Sequence, residues 1–124
     1  MSGATGIELD VAAGKMYWTD RGTNRVQRAN LDGSSVQTLV NSGEPRGIAL
    51  DIPGGKMYWT ESNPDLIRRA NLDGSGVENL LSGDFDRPWD IALDIPGGKM
   101  YWTNVVTPRR IKRSNLDGSN IEEL

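Results

Sequence analysis

The sequence predicts an all-β protein made of three four-stranded antiparallel units. Two phrases recur three times along the 124 residues. GKMYWT occurs at 14–19, 55–60 and 98–103, and NLDGS occurs at 30–34, 71–75 and 115–119. No segment shows the sustained apolar period of a helix. Repeats of this length indicate an array of small β units. We place the three units at 5–45, 46–88 and 89–124.

The second unit illustrates the four strands expected in each repeat. Strand one is Arg46–Asp51, which is rich in aliphatic residues, and strand two is Lys56–Glu61, which is rich in aromatic residues and Thr. Strands three and four are Leu66–Asn71 and Val77–Leu81. Four short strands in sequence predict an antiparallel meander.

Turn chemistry separates these strands. Residues 52–55 read IPGG, in which Pro fixes φ and Gly permits positive φ. Residues 62–65, SNPD, are expected to form a loop, and the Asp-Gly pair of 72–75 is a strong hairpin signal. A four-stranded unit of about 40–45 residues fits one blade of a β-propeller.

Side-chain alternation in strand two favours blades over a free sheet. Met57 and Trp59 should point to one face, and Tyr58 and Thr60 to the other. Because both faces carry large side chains, each sheet needs a neighbour on both sides, as radially packed blades provide. A single twisted sandwich is the alternative.

The phrase MYWTD at 16–20, with the NLDGS that follows it, resembles the YWTD repeat, or low-density-lipoprotein-receptor class B repeat. The resemblance spans all three units. It implies a six-bladed propeller, and it implies that the propeller binds protein ligands, as members of this family do. It also implies an extracellular or exported setting, although MSGATG has neither the basic start nor the apolar core of a signal peptide. The residues to which it assigns structural roles in blade packing are Tyr17, Trp18, Asp20, Tyr58, Trp59, Glu61, Tyr101, Trp102 and Asn104.

Three blades form half of a six-bladed ring, and half a ring leaves two blade faces uncovered. Large contiguous apolar patches are rare on monomers. Two half rings related by a two-fold axis would cover both faces. We therefore predict self-assembly into a homodimer with an interface on the order of 2,000 Å² or more. The alternative is a purely structural repeat fragment of a longer propeller protein.

The loops at one edge of the predicted blades differ between repeats, whereas the turns at the other edge are alike. Variable loops on a rigid frame are a usual location for binding residues. The fourth tryptophan, Trp89, lies outside the repeated phrase, where the other units have Thr5 and Arg46. Its alternative role is a packing contact with Phe85 and Pro88. The candidate residues for binding a protein or peptide on this edge are Glu44, Arg46, Asp86, Arg87, Trp89 and Asp90.

Composition excludes several kinds of chemistry. The net charge of −3 argues against a nucleic-acid binder, and the absence of Cys and His excludes thiolate chemistry and the commonest general base. No apolar run has the length of a membrane span. Asp10, Asp51 and Asp94 recur after strand one, where we expect bonds to turn N–H groups rather than a calcium site. We predict no cofactor, no metal and no enzymatic activity; the alternative is a lactonase-like, metal-dependent hydrolase with its site in the channel.

Overall fold

The computed structural model describes residues 3–82 and 87–124, which form three four-stranded antiparallel sheets. Blade 1 contains β1 (Ala4–Asp10), β2 (Lys15–Asp20), β3 (Arg25–Asn30) and β4 (Gln37–Asn41). Blade 2 contains β5 (Pro45–Asp51), β6 (Lys56–Ser62), β7 (Asp65–Asn71) and β8 (Glu78–Ser82). Blade 3 contains β9 (Pro88–Asp94), β10 (Lys99–Asn104), β11 (Ile111–Asn115) and β12 (Glu122–Glu123). The predicted all-β class and the order of strands are confirmed.

Strand limits in blade 2 differ slightly from the predicted ones. β5 begins at Pro45, and Ser62 pairs with Asp65, so the expected four-residue loop is a turn of two residues. β8 covers Glu78–Ser82 instead of 77–81, and its register with β7 shifts between Ile67 and Arg68. In blade 3, the fourth strand contains only two residues, Glu122–Glu123.

The sheets pack face to face, with the first strands β1, β5 and β9 side by side. One apolar core joins Tyr17, Val26 and Val40 of blade 1 to Met57 and Trp59 of blade 2. Because side chains alternate along strand two, Tyr58, which lies between Met57 and Trp59, points to the opposite face of blade 2. Consequently, a second core lies on the other face of blade 2.

That second core joins Tyr58 and Ile67 of blade 2 to Ile91, Met100 and Trp102 of blade 3. Blade 2 is therefore covered on both faces, as the alternation predicted. Its motif residues Tyr58 and Trp59 are at most 1% exposed. Along residues 3–82 and 87–124, no helix is long and apolar enough to cross a membrane.

Candidate functional site

Each threonine of the repeated phrase in blades 1 and 2 connects two blades. In blade 2, the Thr60 hydroxyl accepts the Gly47 N–H at 3.0 Å and donates to the Trp89 carbonyl of blade 3 at 2.7 Å. Thr19 does the same in blade 1, accepting from Gly6 and donating to the Arg46 carbonyl of blade 2. A single hydroxyl therefore satisfies two backbone groups across each interface.

Arginines of the third strands make a second connection between blades. Arg28 Nη1 donates to the Leu72 carbonyl at 2.9 Å, and Arg69 Nη1 donates to the Leu116 carbonyl at 3.2 Å. Both carbonyls belong to the NLDGS turn of the following blade. The same polar contacts thus recur at both interfaces, beside the two apolar cores.

The outer face of blade 1 carries one half of this interface without its counterpart. Ile7 is 62% exposed, whereas the equivalent Ile48 and Ile91 are buried against a preceding blade. Leu9 and Leu31 are also exposed on this blade. The motif tryptophan Trp18 is itself buried, so the uncovered apolar surface comes from these aliphatic side chains.

The outer face of blade 3 carries the other half. Thr103 is exposed and accepts the Asp90 N–H, whereas Thr19 and Thr60 are buried at 0% exposure. Ile111 is 52% exposed, and the motif residue Tyr101 is half-buried. The two outer faces are therefore the two complementary halves of the interface found within the chain.

The acidic position of the phrase differs between blades. In blade 2, Glu61 accepts the Gly43 N–H at 2.9 Å, the Trp59 Nε1–H at 3.0 Å and Arg68 Nη1 at 3.0 Å. In blade 1, the shorter Asp20 accepts the N–H groups of Gly22 and Thr23. All three residues at this position, including Asn104, are buried.

An arginine–tryptophan pair lies at the variable edge of the blades. Arg46 is 6% exposed, and its guanidinium carbon lies 3.8 Å from the Trp89 ring centroid. Its Nε donates to Ser62 Oγ at 2.9 Å. Trp89 remains 41% exposed, so one part of the ring packs on Arg46 and another faces solvent.

Charged side chains surround this pair. Glu44 Oε2 lies 3.6 Å from Arg46 Nη2 and 3.8 Å from Arg21 Nε, so one carboxylate serves two guanidinium groups. Burial, together with the charges of Arg21 and Arg87, lowers the pKa of Arg46, and Glu44 and Asp65 act in the opposite direction. The edge therefore concentrates positive charge around one buried arginine.

A small cavity opens beside the pair. It has a volume of about 110 Å³ and is lined by residues of all three blades, namely Thr5, Arg46, Gly47, Trp89 and Asp90. Asp90 Oδ1 accepts the N–H of Ile91. Partial burial, with a smaller contribution from the charge of Asp90, raises the pKa of Glu8.

The structure brings together five of the six candidate binding residues. Glu44, Arg46 and Trp89 are in contact, Asp90 lines the same cavity, and Arg87 acts electrostatically on Arg46. The sixth, Asp86, and Phe85, named in the alternative role of Trp89, lie outside the described residues.

Sequence reasoning missed Thr5, Arg21, Ser62 and Asp65 as members of this cluster. Arg21, Ser62 and Asp65 lie where the repeats differ between the predicted strands two and three, which could have suggested them. Thr5 was visible only as the residue equivalent to Arg46 and Trp89. Their convergence depends on how far neighbouring blades are rotated, which no local pattern specifies.

The recurrent aspartates after the first strands bind turns, as expected. Asp51 Oδ1 accepts the Gly54 N–H at 2.9 Å, and Asp94 Oδ1 accepts the Gly97 N–H at 3.1 Å. Asp10 accepts the equivalent bond from Ala13. These carboxylates therefore have a structural role at the edge opposite the cavity.

The blades and their repeated contacts define a β-propeller repeat protein, and comparison with known sequences identifies the family. The sequence profile described as low-density lipoprotein receptor repeat class B matches residues 14–52 and 55–95. These matches cover more than half of the 124 residues, and the chain belongs to this family.

Curated relatives match about one repeat. Low-density lipoprotein receptor-related protein 5 of Mus musculus and of Homo sapiens is 49% identical over 39 residues, which is 32% of this chain and 2% of the relative. Low-density lipoprotein receptor-related protein 4 of Homo sapiens is 40% identical over 43 residues, which is 35% of this chain and 2% of the relative. The chain therefore matches a small part of each relative.

Solved structures match nearly the whole chain. A chain in the crystal structure of a nidogen/laminin complex is 32% identical with a TM-score of 0.90, and the match covers 97% of this chain and 47% of that chain. A gluconolactonase from Xanthomonas campestris is 19% identical with a TM-score of 0.80, covering 99% and 47% of the two chains. The second likeness shows the fold alone. In both comparisons, this chain spans about half of the other.

Proposed function

We propose that the protein is a non-enzymatic scaffold that binds a protein or peptide, with its propeller completed by a second copy of the chain. The observation that carries this proposal is the complementarity of the two outer faces. Blade 1 exposes Ile7, Leu9 and Leu31, and blade 3 exposes Tyr101 in part and Ile111. Stacking blade 3 of one copy on blade 1 of another buries both sets at two symmetric seams.

The polar contacts support the same arrangement. By analogy with Thr60, the Thr103 hydroxyl of one copy would donate to the Thr5 carbonyl of the other. By analogy with Arg69, Arg113 Nη1 would donate to the Leu31 carbonyl. Both seams then repeat the contacts found inside the chain, and no blade face stays uncovered. The competing occupant of these faces is a further set of blades in a longer chain.

A binding role is supported by the edge that carries Arg46 and Trp89. This cluster differs from blade to blade, whereas the threonine and arginine connections between blades repeat. The family supports the non-enzymatic assignment and an extracellular or exported setting. No nucleophile–base pair is found among the described residues of the cavity, where Thr5 is bonded to Thr19 and to backbone carbonyls.

Native mass spectrometry tests the assembly. The chain of 13.6 kDa should give a species of about 27.2 kDa at micromolar concentration. Ile7→Asp or Ile111→Asp places a charge in the seam and should give monomer. The control is Val77→Asp in blade 2, because both faces of this blade are already covered within the chain. Val77 is 37% exposed, so the substitution adds a surface charge outside the two seams. A folded wild-type monomer at these concentrations would contradict closure by a second copy.

A further inference from the structure

The guanidinium of Arg46 is short of hydrogen-bond acceptors. It has five N–H donors, but among the described residues Nε alone makes a hydrogen bond, to Ser62. Nη1 is buried and has no partner among the described residues. The Glu44 carboxylate is 3.6 Å from Nη2, beyond ordinary hydrogen-bond length. An unpaired buried donor is costly, so this group favours an additional acceptor.

The local charge favours an acceptor that is negative. Arg21, Arg46 and Arg87 lie on this edge, and Glu44 is shared between the first two at 3.8 Å and 3.6 Å. Asp65 also acts on Arg46, and its Oδ2 accepts the backbone N–H of Arg87. Among the described residues whose charges act on Arg46, Arg21 and Arg87 are balanced by Glu44 and Asp65, with the Asp90 carboxylate in the adjacent cavity, and neither Glu44 nor Asp65 makes a hydrogen bond to Arg46.

An apolar surface lies directly beside these charges. Trp89 is 41% exposed, and it lines the cavity of about 110 Å³ together with Thr5 and Gly47. Large aromatic side chains at the centre of an interface contribute much of its binding energy. The ring and the guanidinium are held together by their 3.8 Å contact, so both are preorganised for one ligand.

The backbone on either side of the pair is strained. Glu44 has φ of 45° and Arg87 has φ of 54°, in the left-handed region that non-glycine residues seldom adopt. Strain of this kind concentrates at ligand-binding segments. Here the residues with positive φ are Glu44 and Arg87, which directly precede β5 and β9.

From these observations, we propose that the Arg46–Trp89 edge binds an acidic peptide segment, with a ligand carboxylate on the arginines and an adjacent apolar side chain against Trp89. This inference rests on the proposed scaffold function and specifies its ligand. The Asp90 carboxylate lines the cavity and interacts with Glu8, so it opposes an anionic ligand and limits its affinity. A closed ring would carry the site twice.

Selection from a phage-displayed library of random heptapeptides provides the test. Peptides retained by the wild-type protein should be enriched in Asp or Glu next to an aromatic or large aliphatic residue. For a selected peptide, replacing its acidic residue by the matching amide should weaken binding about tenfold or more. Rising salt should weaken the acidic peptide more than its amide counterpart.

Variants of the protein locate the site. Arg46→Gln should abolish the acidic enrichment, and Trp89→Ala should abolish the preference for an adjacent aromatic or large aliphatic residue. Because Arg46 is buried, Arg21→Gln provides a second variant at an exposed position, with an expected loss of severalfold in affinity. Asp90→Asn should strengthen binding of the same peptide. Arg109→Gln, an exposed arginine of blade 3 that does not act on Arg46, is the matched control and should leave affinity unchanged.

The outcomes separate the two proposals. Enrichment of neutral or basic peptides, or an acidic pool that Arg46→Gln and Arg21→Gln bind as well as the wild type does, would overturn the acidic specificity while leaving a peptide-binding scaffold. Failure of the assembled protein to retain any peptide would contradict the binding function itself. The mass measurement reports on assembly independently of both.

Discussion

At the scale of single residues, the hydroxyl of the repeated threonine in blades 1 and 2 joins two neighbouring blades. Its methyl group packs in a buried position, while its oxygen joins the first strand of its own blade to that of the next. Valine has a similar shape but lacks the oxygen. Both backbone groups would then lose their partner in a buried position, which is more costly than the loss of one exposed hydrogen bond.

Thr60→Val should therefore lower the free energy of unfolding by about 2–4 kcal/mol, since two buried backbone groups lose their partner. Urea denaturation measures the change. Thr38→Val is the control, because Thr38 is exposed and, among the described residues, its hydroxyl accepts a hydrogen bond from Gln27 alone, at 3.3 Å. Equal effects of the two substitutions would show that the Thr60 hydroxyl does not stabilise the contact between blades.

At the scale of strands and turns, the sequence specified most of the fold. Alternation of Met57, Tyr58, Trp59 and Thr60 predicted two covered faces, and Asp-Gly predicted the hairpin turns. The sequence-based prediction made the loop at 62–65 two residues too long, because Ser62 and Asp65 pair and extend the ladder to a two-residue turn. The sequence predicted that Arg46 and Trp89 lie on the same edge, but not that they stack. Side-chain contacts between blades depend on tertiary packing, which the sequence pattern does not specify.

The aspartates of the NLDGS turns are expected to make stability depend on pH in acid. The pKa of Asp73 is lowered from its ordinary value of 3.8 by hydrogen bonds from Ser75. The bond from the Ser75 hydroxyl has the larger effect, and the bond from its backbone N–H the smaller one. The pKa values of Asp32 and Asp117 are lowered in the same way by Ser34 and Ser119. A carboxyl group with a lowered folded-state pKa contributes stability above its unfolded pKa. That contribution is lost as pH falls through the folded value.

We expect wild-type stability to fall as the pH decreases below about 4, partly because of these turns. The triple substitution Asp32→Asn, Asp73→Asn and Asp117→Asn keeps a side-chain oxygen for each turn but removes the titration. Its unfolding free energy, measured by denaturant titration at each pH, should decline less steeply over this range. The ion-paired Glu78 and Glu122, whose pKa values are also lowered, should contribute to the remaining slope. Parallel curves for the two proteins would exclude a contribution from the turns.

At the scale of the whole molecule, stability and assembly are coupled if a second copy closes the ring. The seams would bury Ile7, Leu9, Leu31 and Ile111, all of them more than 40% exposed in a single chain. Unfolding then separates two chains, and the melting temperature depends on protein concentration.

A tenfold dilution should lower the Tm by about 3–5 °C, a shift that differential scanning calorimetry resolves. The control is a tandem fusion in which a Val-Asn dipeptide, copied from Val40 and Asn41, joins Leu124 to the start of a second copy. Its seams become intramolecular, so its Tm should be independent of concentration. A wild-type Tm that does not change on dilution would argue that single chains fold without closure.

The threonine contact between blades has a further consequence, for stoichiometry. Its donor is a side chain of one blade, and its acceptor is a backbone carbonyl of the next, which any residue supplies. The joint is therefore directional and nearly independent of sequence at the accepting side. Such head-to-tail joints close into rings when the rotation per unit divides a full turn. In a ring of six, the number of subunits would follow from the number of blades in each chain: two chains of three, three chains of two, or six single blades.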